Sequence, residues 1–119
     1  MVGLFNYPKR RLKKLIKEGE YDEAIALGES LESDYSDDHD FMFIMGSVYF
    51  IVDDPKQALP FFEKAFRLNS KDIETLTLKT NIHLALQQKD QAIECCSLIL
   101  KLQPNNSEAA DLLEELETL

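Results

Sequence analysis

The sequence predicts an all-α fold of antiparallel helix pairs stacked one on the next, seven helices in all, and three observations predict it. The first is an uncharged stretch, Phe41 to Val52, closed by Asp38 and Asp40 on one side and by Asp53 and Asp54 on the other. At 3.6 residues per turn it places Met42, Met45, Gly46 and Tyr49 on one side, Phe41, Ile44, Val48 and Ile51 on a second, and Phe43, Ser47 and Phe50 on a third. A helix apolar on every side is buried on every side. The stretch is shorter than the ~20 apolar residues a bilayer requires, and it lacks the period-two alternation of a half-buried strand. The second is a recurring motif: residues 19–25, 53–59 and 87–93 start 34 residues apart, each a polar turn followed by alanine and an aliphatic residue (Ala24-Ile25, Ala58-Leu59, Ala92-Ile93). The third is composition: helix formers dominate, with four glycines and four prolines in 119 residues, which excludes disordered and collagen-like chains.

In chain order, Pro8 suits the first turn of a helix running to about Lys17, which Glu18-Gly19 ends. Tyr21 to about Glu32 forms the second helix, and the acidic run Ser33 to Asp38 a loop. The apolar stretch is the third and central helix, and Gly46, costly inside a helix, marks a point where another backbone comes close. Asp54 is an N-cap with Pro55 at the first helical position, opening a helix to about Leu68 that Pro60 interrupts by one hydrogen bond. Ile73 to about Leu86 and Lys89 to about Leu102 are the next pair. Asn105 with Glu108 three residues on reads as a capping box for a last helix. Three alanines at one register predict points where two helices approach too closely for a larger side chain.

The 34-residue period of helix, turn and helix resembles the tetratricopeptide repeat family. In that frame residues 1–119 form one domain, with units at 5–38, 39–72 and 73–106 and a capping helix at 107–119. The second unit carries the resemblance best, through Gly46, Tyr49, Ala58, Phe62 and Ala65. The third has Leu76, Ala92 and Pro104 but Thr80 and His83 where the family has glycine and an aromatic residue. The first rests on Gly19, Tyr21, Ala24 and Ile25. The resemblance implies a short right-handed superhelix whose first helices line a concave groove for a partner peptide or helix. Residue by residue it assigns to that groove Asn6, Lys9, Lys13 and Lys17, then Asp40, Phe43, Ser47 and Phe50, then Glu74, Thr77, Asn81 and Leu84. Phe43 and Phe50 are expected to act as aromatic anchors. Members that hold chaperone C-terminal tails use a clamp of Lys and Asn, Asn, then Lys and Arg. Here Lys9 matches, but Lys13, Ile44, Glu74 and Leu78 replace the rest, so a chaperone-tail adaptor is not expected.

Charge and chemistry narrow the function. Residues 1–17 hold six basic residues and no acid; the seven basic and 22 acidic residues that follow leave the rest of the chain at −15. Such a body repels nucleic acid. The basic run serves as a solvated helix face, with docking of an acidic partner segment as its alternative and a lipid surface, beside Leu4, Phe5 and Tyr7, as a third. Apolar Val2, Leu4 and Phe5 precede the basic run, the reverse of secretory-signal order. Adjacent Cys95 and Cys96 point about 100° apart on a helix and form neither a disulfide nor a metal pair, which predicts reduced thiols and a cytoplasmic chain. No metal spacing, phosphate loop or nucleophile elbow is present, and no cofactor or catalytic residue is expected. The sequence thus predicts a non-enzymatic adaptor. Self-association through the excess leucines of the last helix (Leu112, Leu113, Leu116, Leu119) is the alternative, and a peripheral membrane tether through residues 2–17 is a third.

Overall fold

The computed structural model describes residues 2–118, with side chains from Tyr7 to Thr118; Leu119 and the side chains of Val2, Leu4, Phe5 and Asn6 lie outside the described residues. Among these there are seven helices: α1 (Val2–Lys17), α2 (Tyr21–Leu31), α3 (His39–Ile51), α4 (Pro55–Leu68), α5 (Ile73–Ala85), α6 (Lys89–Leu102) and α7 (Ser107–Glu117). They pack as the pairs α1/α2, α3/α4 and α5/α6, with α7 against α6. No helix among the described residues is long and apolar enough to cross a membrane.

The repeat has a conformational cause. Gly19, Asp53 and Gln87, each 34 residues after the last, all adopt left-handed backbone, with φ of 79°, 62° and 59°. Each closes the helix before it. The N–H of the following residue reaches back to Leu15, Tyr49 or His83 at 2.8, 2.9 and 2.8 Å, while its own N–H reaches Ile16, Phe50 or Leu84 at 3.0 Å. That pair of bonds is the Schellman closure, which satisfies carbonyls a helix end would otherwise leave open. Only the first unit uses glycine for it.

The alanines mark the close approaches: Ala24, Ala58, Ala65 and Ala92 are fully buried. The main core joins Leu12 and Leu15 of α1, Ala24 of α2, six residues of α3 from Phe41 to Tyr49, and Ala58, Phe62 and Ala65 of α4, with Ile82 of α5. Two smaller clusters continue it, Leu76 with Ile99 and Ala109, and Ala92 with Cys96 and Leu116, and these tie α7 to the third pair. Along the stack α1 meets α3 and α3 meets α5, whereas no Cα of α2 comes within 8 Å of α4, nor any of α4 within 8 Å of α6. The first helices therefore form the tighter, inner side of the stack, and the second helices splay on the outer side.

Four local expectations are corrected. Helix α1 starts at Val2, so Pro8 lies inside it; the ring costs one i−4 hydrogen bond but leaves the turns on either side intact. At Gly46 the close neighbour is the Phe62 ring, 2.7 Å from where a Cβ would stand, not a backbone. Ile51 is half exposed although it belongs to a buried stripe; it is the last residue of α3, and Val52 beside it is exposed as well. The cap of α7 is Asn106, which accepts from Ala109 N–H at 2.9 Å; Asn105 lies one residue too early for this geometry. The cap expected at Asp54 forms, accepting from Gln57 N–H at 3.3 Å.

Holding a glutamine in the left-handed region costs about 1 kcal/mol relative to glycine. Gln87→Gly should therefore raise stability by roughly that amount in urea melts, whereas unchanged or lowered stability would remove strain from the account of this turn.

Candidate partner-binding faces

The inner face is made by α1, α3 and α5. From α3 it receives Phe43, Ser47 and Phe50, one helical stripe that the core does not enclose. Both rings are half-buried and rest on the core. Phe43 meets Phe62 edge-on, with ring centroids 5.7 Å apart, and stacks near His39 at 6.4 Å. Ser47 donates its hydroxyl to the Phe43 carbonyl at 2.8 Å, leaving a small polar step between the two rings.

The cations of α1 divide. Lys9 is half-buried, its Nζ 2.9 Å from Asp38 and 3.7 Å from Asp40, and it lies 5.9 Å from the centre of the Tyr35 ring. Lys13 reaches Asp40 at 3.4 Å. Lys17 is exposed and makes no ion pair among the described residues. Lys9 and Lys13 thus tie α1 to the start of α3, a role the sequence did not reveal. Asp38 also caps α3, accepting from Phe41 N–H at 3.0 Å. Burial pushes its carboxyl pKa up, but the hydrogen bonds from Lys9 and Phe41 and the Lys9 charge outweigh this and hold it below the ordinary value. The Lys9 amine is raised, chiefly by its hydrogen bond to Asp38.

On α5, Thr77 and Asn81 are exposed and border a cavity of about 160 Å³ against α7, with Asn106 and Leu112 on its far side. Leu84 is half-buried and turned toward Ala92, Cys96 and Leu116, away from the Phe43 stripe. A polar link joins the starts of α3 and α5: His39 Nε2 lies 3.1 Å from the Thr75 hydroxyl, which donates to Asp72 at 2.6 Å. His83 is buried and pairs its Nδ1 with the Gln88 side chain at 2.8 Å. Both thiols are buried, and burial raises their pKa, which suppresses thiolate chemistry. No group of three His, Cys, Asp or Glu side chains is gathered to hold a metal among the described residues.

A large open cavity lies elsewhere, on the outer side between α2 and α4. It has a volume of about 960 Å³ and is floored by Met42, Tyr49 and Phe61. Its lining comes from α2, α3 and α4 and the loop after α2, so no local stretch of sequence announces it.

Residues 49–116 match the sequence pattern described as the tetratricopeptide repeat. Over 112 residues the chain is 33% identical to anaphase-promoting complex subunit 7 of Dictyostelium discoideum, covering 94% of this chain and 18% of that protein. The chain thus spans less than a fifth of the length of this relative. Among solved structures it is similar to the first TPR of Spaghetti (RPAP3) bound to the HSP90 peptide SRMEEVD, with TM-score 0.82 and 25% identity over 94% of this chain and 89% of that one. The type III secretion chaperone SycD of Yersinia enterocolitica, in complex with a peptide of the translocator YopD, shares the fold at TM-score 0.86 and 13% identity, covering 97% and 93% of the two chains.

The Asp38 pair makes stability depend on pH in a known direction. A depressed carboxyl contributes stability that is present above its unfolded pKa and lost as pH falls through the folded one; the raised amine contributes below its unfolded pKa and loses that only in strong alkali. Asp38→Asn keeps a capping oxygen but not the charge. Stability at neutral pH should drop by about 1 kcal/mol, and the gap to wild type should close as pH falls from about 7 to about 3. A gap that stays constant in thermal melts across this range would mean that the ion pair contributes nothing.

Proposed function

The chain belongs to the tetratricopeptide repeat family, and from that premise we propose that it is a non-enzymatic adaptor holding a partner helix or extended peptide against its inner face. The observation that carries this reading is the Phe43, Ser47 and Phe50 stripe. Two sides of α3 already fill the core, so half-buried rings on the third side offer apolar area at little further cost to folding. Lys13 and Lys17 lie at the α1 end of this face, and Thr77 and Asn81 offer hydrogen bonds at the α5 end. The partner is therefore a segment with apolar anchors over the two rings and acidic character toward α1.

The similar Spaghetti domain is bound to an HSP90 peptide, which supports peptide capture as the mode. Chemistry argues against the same ligand here. Ile44, Glu74 and Leu78 stand where the chaperone-tail clamp needs an amide and two cations, and Lys9 is engaged by Asp38. The identity with a subunit of the anaphase-promoting complex supports a partner within a multi-subunit assembly.

The test is selection of a displayed random-peptide library on the whole chain, followed by affinity measurement of the enriched peptides. Phe43→Ala with Phe50→Ala should weaken them by about 2 kcal/mol, roughly thirtyfold. Each single change should cost stability well below the roughly 3–5 kcal/mol of a fully buried Phe→Ala. A full-size stability loss would make the rings core residues, and undiminished affinity would remove the partner from this face. The peptide SRMEEVD should not bind.

A further inference from the structure

The outer groove between α2 and α4 has chemistry that the repeat does not require. Lys56, Lys64 and Arg67 line its α4 wall, Glu29 and Glu32 its α2 wall. At its floor the Tyr49 and Phe61 rings stack with centroids 5.7 Å apart. Glu29 is engaged by the Tyr49 hydroxyl, which donates to it at 3.4 Å. The three cations make no ion pair among the described residues, although the chain carries a net charge of −9. Lys64 is half-buried even so.

The next unit gives the internal comparison. Thirty-four residues on, Leu98 stands where Lys64 is, Cys95 where Phe61 is, and His83 where Tyr49 is. There the space between α4 and α6 is filled: Lys79 lies over the Phe66 ring at 4.6 Å, and only about 260 Å³ remains. A cationic wall over an aromatic floor is thus a property of the second unit and not of the fold.

We propose that the outer groove of the second unit is a second docking site, for an acidic partner helix. Its carboxylates would lie along α4 against Lys56, Lys64 and Arg67, with an apolar side chain over the Tyr49–Phe61 stack. The cations lie eight and three residues apart on one stripe of α4 about 16 Å long, which matches acids at i, i+8 and i+11 on a helix lying alongside and parallel to it. Glu29 and Glu32 repel a second acidic row, so the acids are confined to the edge facing α4. A nucleic acid, charged on every side, is excluded by the same wall. The site is independent of the inner face and stands whether or not that face holds a partner.

The probe is a synthetic helical peptide with Glu at i, i+8 and i+11 and a leucine stripe beside them; its control carries Lys for Glu. Fluorescence anisotropy on the whole chain should show the Glu peptide binding and the Lys peptide at least tenfold weaker. Lys64→Glu with Arg67→Glu should weaken the Glu peptide at least tenfold without a change in melting temperature, and Glu32→Lys should tighten it. The proposal is overturned if the Glu peptide does not bind, if the two peptides bind alike, or if binding is lost through Phe43→Ala with Phe50→Ala instead. A loss on Lys64→Glu with Arg67→Glu that comes with unfolding counts for nothing unless Glu32→Lys tightens binding, and an unaltered Glu32→Lys affinity then overturns the site.

Discussion

Everything in this molecule is arranged around the burial of α3, and two tight points of that burial are Met45 against Gly28 of α2 and the Phe62 ring on Gly46. The ring lies where a Cβ would stand, 2.7 Å from its ideal position. Glycine costs a helix interior about 1 kcal/mol, and here it lets a fully buried phenylalanine of α4 lie directly on the α3 backbone. Phe41, Met45 and Val48 are enclosed by the same packing, each burial contributing about 1.5–3 kcal/mol. Because no side of α3 is wholly solvent, both grooves borrow their floors from it: Phe43, Ser47 and Phe50 inward, Met42 and Tyr49 outward. A rigid floor keeps recognition residues in place without an ordering cost at binding.

The second constraint is unequal spacing. First helices touch along the stack and second helices do not, so one side closes into a continuous face while the other opens into separate troughs. Polar links at the helix starts hold the inner side. Lys9 joins α1 to Asp38 before α3, and His39 with Thr75 and Asp72 joins α3 to α5. What lies in each outer trough then depends on single residues, since Lys64 leaves a cation where Leu98 fills space.

Much of this was legible in the sequence for physical reasons. The period could be read because each unit needs a left-handed residue and a close alanine at fixed places, and Gly19 with Ala24, Ala58 and Ala92 carries that requirement openly. Asp53 and Gln87 do the same backbone work without a composition signal. Helix ends with a local signature, such as Asp54-Pro55, were placed correctly. Pro8 and Asn105 were not, because a proline is compatible with both the start and the interior of a helix, and two adjacent asparagines offer the same cap. Charge was the least legible. Lys9 reads as a surface cation until Asp38, 29 residues away, is brought against it. The outer groove is likewise a product of packing, visible only once α2 and α4 are seen to stand apart.

The central claim is that α3 is the stable element from which both faces are built, and native-state hydrogen exchange tests it most directly. The amides of α3, from about Met42 to Val48, should exchange only through global unfolding and be the slowest in the chain, with α1 and α7 opening at lower free energy. Exchange of α3 through local opening, at a free energy at or below that of the end helices, would contradict it.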